Sequence, residues 1–245
     1  MKPEVRRAHM VSRRYISAWG DERGRIDVID LEQKRGYETT FGRATVVSYA
    51  YEATLLVGAK LEQQYDRIES AGLPSIVKLR NGRQLSEAER VAVIAFLDMH
   101  IERGNFADQT KVHTPAVAVM TDGRSRSTTL GLADRLVLSR HVNEGADRLA
   151  KHRLEDWNWS VHHVENLVTG DGAVLRFAKP GRPGEPGSVF FPLSPTRLLQ
   201  IGDLPMEEVP LNSIIASRSR RWLIGERGTL DWNPANFEPF EGLGV

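Results

Sequence analysis

Asp171 sits in residues 164–174, VENLVTGDGAV, at the tip of a polar turn between two apolar runs. A carboxylate there can move protons or hold a cation. It also has a plainer use. Asp-Gly between β-type runs predicts a tight hairpin, because such a turn needs positive φ and Asp-Gly supplies it at low steric cost. The hairpin outweighs the chemistry on these residues alone. In residues 159–168, WSVHHVENLV, a period of two places His163 and Glu165 on one face with Val161, a pair able to share a metal but too few for a site. Ordinary solvent-facing or hydrogen-bonded strand positions are the simpler account of them.

Glu62 and Glu69 are nearly in line on a predicted helix, at the border of its buried face. Two carboxylates there could bind a divalent cation or exchange protons, or simply form a solvated flank beside Lys and Arg. Asp98 falls inside an apolar stripe between Ile94 and Ile101, with His100 and Arg103 on the next turn. That cluster is either a hydrogen-bonded core network or a pocket wall. Arginines gather near both ends: Arg6, Arg7, Arg13 and Arg14, then Arg218, Arg220 and Arg221. If the ends meet they make a phosphate-attracting patch for nucleic acid, although few aromatics interleave them and a solvated face is the simpler account.

The elements that must position these groups are legible in part. Residues 25–32, RIDVIDLE, alternate apolar and charged as a half-buried strand does. From Ala53 to Ala71 a stripe of Val57, Leu61, Tyr65 and Ile68 predicts an amphipathic helix, ended by Gly72 and Pro74. A second helix opens at Ser86 with Glu89 completing a capping box and runs to Gly104. Its middle is apolar nearly all round, which makes it central. Residues 105–129 read as a long surface loop, and 132–157 as one or two helices interrupted near Gly145. Strands return in WSVHHVENLV, AVLRF, SVFFPLS and RLLQIG. PGRPGEPGS, before the third of these, cannot supply a continuous ladder and reads as a hairpin extension. A last helix is expected over 212–221, then a loosely packed tail, NPANFEPFEGLGV. The sum is one α+β domain over 1–245, central helices on a mainly antiparallel sheet: a strand region over 1–50, a helical part over 51–157 and a β part with a closing helix over 158–245.

Composition removes several classes. Apolar residues make up 40% and charged residues 27% of the 245, close to a folded globular average. With 33 basic against 32 acidic residues the net charge is +1, too small for a global field, so any binding charge is local. There is no cysteine, hence no disulfide, thiolate nucleophile or Cys-ligated zinc. The opening residues lack an apolar signal core, and the longest strongly apolar run, VAVIAFL at 91–97, is too short to span a bilayer. A cytoplasmic protein with no membrane partner is the expectation.

Residues 8–32, AHMVSRRYISAWGDERGRIDVIDLE, resemble the opening of the family catalogued as domain of unknown function 4238. That family starts with a His-His-x-Val-Pro-like signature, then Tyr, Leu and an aromatic. His9, Val11, Tyr15, Ile16 and Trp19 fill matching places, while Ala8 stands for the first His and Ser12 for the Pro. The likeness continues through KLEQQYDRIES, with Glu62 and Glu69 at the family's helix glutamates, and AFLDMHIERG, with Arg103 at its helix-ending arginine. It returns in LVTGDGAV and FFPLSP, where Gly170 replaces a Ser and Gly172-Ala173 depart from the family's turn. The resemblance implies a bacterial or phage-type intracellular protein of no settled activity, some members being associated with phage defence.

It also draws four residues together as one expected site: His9, Glu62, Arg103 and Asp171. Glu62 and Asp171 would hold Mg²⁺ or Mn²⁺, His9 would be base or third ligand, and Arg103 would steady a phosphate, as in a metal-assisted hydrolase or nuclease. Asp171 becomes functional on this reading only if His9 and Glu62 reach it. One rival is a non-enzymatic defence sensor or adaptor, in which the same residues form a buried network that ties helices to sheet. Another is a nucleic-acid-binding module using Arg13, Arg14, Arg218 and Arg221, its partner a nucleic acid or a phage component.

Overall fold

The computed structural model describes residues 7–48, 61–143, 148–179, 181–205 and 209–230. Val57 and the first turns of the first predicted helix, the break at Gly145, Arg6 and the tail lie outside these residues.

The chain opens with β1 (Arg7–His9), α1 (Arg13–Ile16), β2 (Arg25–Asp30), β3 (Arg35–Thr40) and β4 (Val46–Ser48). Next come α2 (Leu61–Arg80), α3 (Glu87–Gly104), β5 (Thr114–Val119), β6 (Ser125–Leu130) and α4 (Leu132–Asn143). It closes with β7 (Trp159–His163), β8 (Thr169–Gly170), β9 (Leu175–Lys179), β10 (Arg182–Ser194), β11 (Arg197–Gly202), α5 (Leu211–Arg218) and β12 (Trp222–Glu226). The fold is α+β and its sheets are antiparallel. One four-stranded sheet has the order β7-β11-β10-β9 and the other β3-β2-β12-β8. Among the described residues no helix is long and apolar enough to cross a membrane.

α3 is the central element. Both halves of its capping box form, Ser86 accepting from the Glu89 amide and Glu89 from the Ser86 amide. It buries Val93, Ile94, Phe96, Leu97, Met99, His100 and Arg103. α2 packs on it and does not stop at Gly72 and Pro74. A Cβ at Gly72 would come within 2.8 Å of the Phe96 Cβ and 2.9 Å of the Ala92 carbonyl, so this glycine is a close helix contact and not a terminator. Pro74 costs one intrahelical hydrogen bond, which the tertiary packing of Leu73, Ile76 and Leu79 outweighs.

Tyr15 joins the two sheets. Its hydroxyl lies 2.7 Å from Thr169 Oγ1 on β8 and donates to the Pro192 carbonyl on β10 at 2.7 Å. Its ring stacks on Phe191 at 4.9 Å and meets Trp19, Phe96 and His100 edge-on. Trp19 Nε1 donates to the Leu167 carbonyl, and Arg80 donates to the carbonyls of Leu193 and Tyr15.

Several local expectations change. Residues 105–129 are not one loop, because β5 and β6 pair as a hairpin around Asp122-Gly123, with Gly123 at φ +80°. The Asp-Gly hairpin expected at 171–172 is absent: β8 pairs with β12, β9 with β10, and neither Asp171 nor Gly172 has positive φ. The segment is a crossing from one sheet to the other. The Pro-Gly run belongs to β10, which pairs with β11 only from Ser188 onward. Its prolines therefore lie where the strand has a neighbour on one side alone, with register shifts around Pro186. The closing helix ends at Arg218, and β12 follows as an inner strand.

Candidate functional site

A cleft of about 150 Å³ opens between the N-terminal segment and the start of α2, lined by His9, Arg13, Arg14, Glu62, Asp66, Glu69 and Arg103. His9 ends β1, opposite Val46 of β4. Its Nδ1 is 3.0 Å from the Ala44 carbonyl oxygen. A carbonyl only accepts, so Nδ1 carries the proton and Nε2 holds the lone pair. Burial pushes the imidazole below its usual pKa, Arg13 and Arg103 act in the same direction, and the Ala44 bond and Glu69 oppose them. A neutral ring with a basic Nε2 results at neutral pH.

α2 presents Glu62, Asp66 and Glu69 at helical spacing along one face. Burial raises the Glu62 carboxyl above its ordinary pKa, neighbouring Asp66 adds to this, and Arg103 works against it. Glu69 is committed elsewhere. It accepts from Arg103 at 2.6 Å and from the Ser12 hydroxyl at 3.1 Å. Ser12 precedes α1 and makes no side-chain cap because its hydroxyl points to Glu69. The Arg103 guanidinium stands 4.2 Å, and that of Arg140 4.7 Å, from the centre of the Tyr65 ring. Arg13 and Arg14 are exposed at the rim.

Asp171 lies elsewhere. It lines a different cleft, of about 180 Å³, with Gly104, Asn105, Gly172, Arg176, Arg218 and Arg220. Its carboxylate accepts from the amides of Arg220 at 2.6 Å, Arg221 at 3.2 Å and Trp222 at 2.5 Å. The residue is 4% exposed. Burial pushes its pKa up to about 6 against the pull of those amides. Close backbone contacts surround it: a Cβ on Gly104 would fall 2.1 Å from the Asp171 carbonyl oxygen, and one on Gly170 2.2 Å from that of Trp222. His100 Nε2 donates to the Gly170 carbonyl at 2.8 Å; burial lowers this histidine's pKa to about 4. Asp171 thus staples the sheet-to-sheet crossing to the start of β12.

The expected ligand set of Glu62, Asp171 and His9 is therefore not assembled. Among the described residues no three His, Cys, Asp or Glu side chains are grouped to hold a metal ion. The reason is helical geometry: Arg103 and Gly104 are about 100° apart around α3, so one faces His9 and the other faces Asp171. Three of the four expected site residues meet, and the fourth does not.

The arginine clusters separate too. Arg13 and Arg14 belong to the His9 cleft, Arg218 and Arg220 to the Asp171 cleft. Arg221 is withdrawn from solvent at 8% exposure. It bonds Thr110 at 2.9 Å, faces Glu32 at 2.9 Å and Asp30 at 3.6 Å, and lies over the Trp222 ring, so it is not a phosphate contact. β7 ends at His163, leaving His163 and Glu165 exposed, and Glu165 falls outside the strand. Asp98 accepts from the amides of Leu149 and Ala150, so it anchors a helical turn and also lines a neighbouring cleft.

Asp66 was recoverable from its spacing to Glu62 and Glu69. Ser12, Tyr65 and Arg140 had no sequence signal as site neighbours, since only tertiary contact brings them in. The chain matches no family model, no curated protein and no solved structure in the comparisons made.

Proposed function

We propose that the His9 cleft is a general acid–base site that hydrolyses a phosphate-bearing substrate, of the nuclease type that a phage-defence protein would use. The observation that carries the reading is the His9 Nδ1–Ala44 bond, which orients a neutral imidazole with its basic nitrogen free of that contact, beside carboxylates and arginines. In the proposed step Nε2 takes a proton from water as the water oxygen bonds to phosphorus. The bond from phosphorus to the leaving oxygen breaks, and Glu62, whose carboxyl is shifted toward its protonated form, protonates that oxygen. Arg13 and Arg14 draw the anionic substrate to the rim, and Arg103 adds positive charge in the cleft. The Mg²⁺ or Mn²⁺ expected from Glu62, Asp171 and His9 has no place in this step, because the Asp171 carboxylate is occupied in the other cleft. Family membership, defence against phages and a cytoplasmic location belong to the same proposal, supported by the segment 8–32.

The test is hydrolysis of labelled single- and double-stranded oligonucleotides and of a chromogenic phosphodiester. His9→Gln is expected to lower the rate by about 100-fold or more, with secondary structure unchanged. Cleavage that survives His9→Gln would remove the proposal. A second reading, a non-enzymatic sensor or adaptor, is favoured by the Ser12–Glu69–Arg103 chain, which ties α1, α2 and α3 together. On that reading the wild type cleaves none of these substrates.

A further inference from the structure

The cleft beside Asp171 gathers arginines around a carboxylate that is already bound to backbone amides. Arg176 on β9, Arg218 at the end of α5 and Arg220 after it line this cleft together with Gly104 and Gly172. Its one carboxylate, Asp171, is turned onto three backbone amides. Arg218 makes no hydrogen bond and no ion pair with any described residue, and Arg220 has only a long contact of 3.4 Å to Asp108. Arg218 is pulled below its ordinary pKa first by desolvation and then by the facing charge of Arg176. An anion would supply Arg218 with the counter-charge that no described residue gives it, and guanidinium forks match phosphate oxygens.

We propose that this cleft, distinct from the His9 cleft, is a binding site for a phosphate group, held by Arg218 and Arg220. The small volume of about 180 Å³ and the polar lining suit a phosphate itself. Ile101 and Val174 are the apolar side chains of the lining, and no aromatic residue lines it for a base to stack on. Glycine at 104 and 172 is required by the packing around the cleft, since a Cβ at either would strike backbone within 2.1 to 2.3 Å. The site does not depend on hydrolysis at His9.

The test is a titration of the full chain with inorganic phosphate, and separately with a short single-stranded oligonucleotide, followed by calorimetry and by the thermal midpoint. Saturable phosphate binding is expected, weakened about tenfold or more in Arg218→Gln/Arg220→Gln and unchanged in Arg13→Gln/Arg14→Gln. Equal midpoints of wild type and variants without phosphate would show that the exposed arginines were not needed for folding. If the oligonucleotide competes with phosphate, the natural source is a nucleic-acid backbone; if it does not, a free phosphate or small phosphate ester. Absence of binding, an adventitious weak interaction indifferent to Arg218 and Arg220, or loss only in Arg13→Gln/Arg14→Gln would overturn the proposal.

Discussion

The two clefts flanking the C-terminal end of α3 contain the same kinds of residue and use them differently. At His9 the carboxylates of Glu62 and Asp66 line an open wall, and the imidazole keeps an unprotonated nitrogen. At Asp171 the carboxylate is sealed and bonds three amides, and the nearby His100 is buried against the Gly170 carbonyl. The difference lies in what each oxygen or nitrogen already touches. A carboxylate with all its oxygens bound to backbone organises the fold, and one left on a cleft wall can do chemistry.

The comparison breaks most decisively at its buried half. Asp171→Ala should destabilise by about 3 kcal/mol or more, since it leaves three amides, two of them buried, without this acceptor, and Gly104→Ala should cost a similar amount by driving a Cβ into the Asp171 carbonyl. Urea unfolding measures both. A loss under about 1 kcal/mol in either would show that Asp171 is not the staple described.

Next in size is the pH response. Asp171, raised to about 6 from an ordinary 3.8, contributes stability that is full below about pH 4 and lost as pH rises through 6. His100, lowered to about 4 from 6.5, contributes stability that is full above 6.5 and lost as pH falls through 4. The two slopes oppose each other between pH 4 and 6, each amounting to about 3 kcal/mol. In Asp171→Asn only the His100 slope remains, so the deficit relative to wild type should widen as pH falls from 6.5 to 4. Denaturation midpoints at several pH values would check this, and a constant deficit would contradict it.

The half-buried pair Arg103–Glu69 should come third. Glu69→Gln is expected to cost about 1 to 2 kcal/mol, because it weakens a short charge-assisted bond on a nearly buried guanidinium. Smallest is Glu62→Gln, with less than about 0.5 kcal/mol expected, since Glu62 makes no hydrogen bond or ion pair with any described residue. A large loss there in calorimetry would place Glu62 with Asp171 as a structural group.

Much of the scaffold was legible because its signals are local. Ser86 and Glu89 mark the start of α3 by satisfying amides within one turn, and the apolar run after them requires burial. The strands β9 and β11 follow from short β-type runs in the same way. Gly72 and Pro74 misled because their local cost is outweighed by a contact with Phe96 from another helix. Asp-Gly made a hairpin at 122–123, where the flanking strands pair with each other, and none at 171–172, where each neighbour is claimed by a different sheet. In the site, His9, Glu62, Glu69 and Arg103 were identifiable as residues able to move protons or hold charge. Their separation from Asp171 was not.

By itself the sequence determined which side chains have chemical capacity, where α3 begins and that the chain builds helices and antiparallel strands. These depend on residue type and on contacts within a few positions. The tertiary structure alone decided which of those groups keep a free oxygen or nitrogen. It turned Arg103 and Gly104 toward different clefts, buried Arg221 against Asp30 and Glu32, and bound Asp171 to amides some 50 residues away. Desolvation and hydrogen-bond occupancy are set by neighbours distant in the chain, and they separate a reactive carboxylate from a structural one.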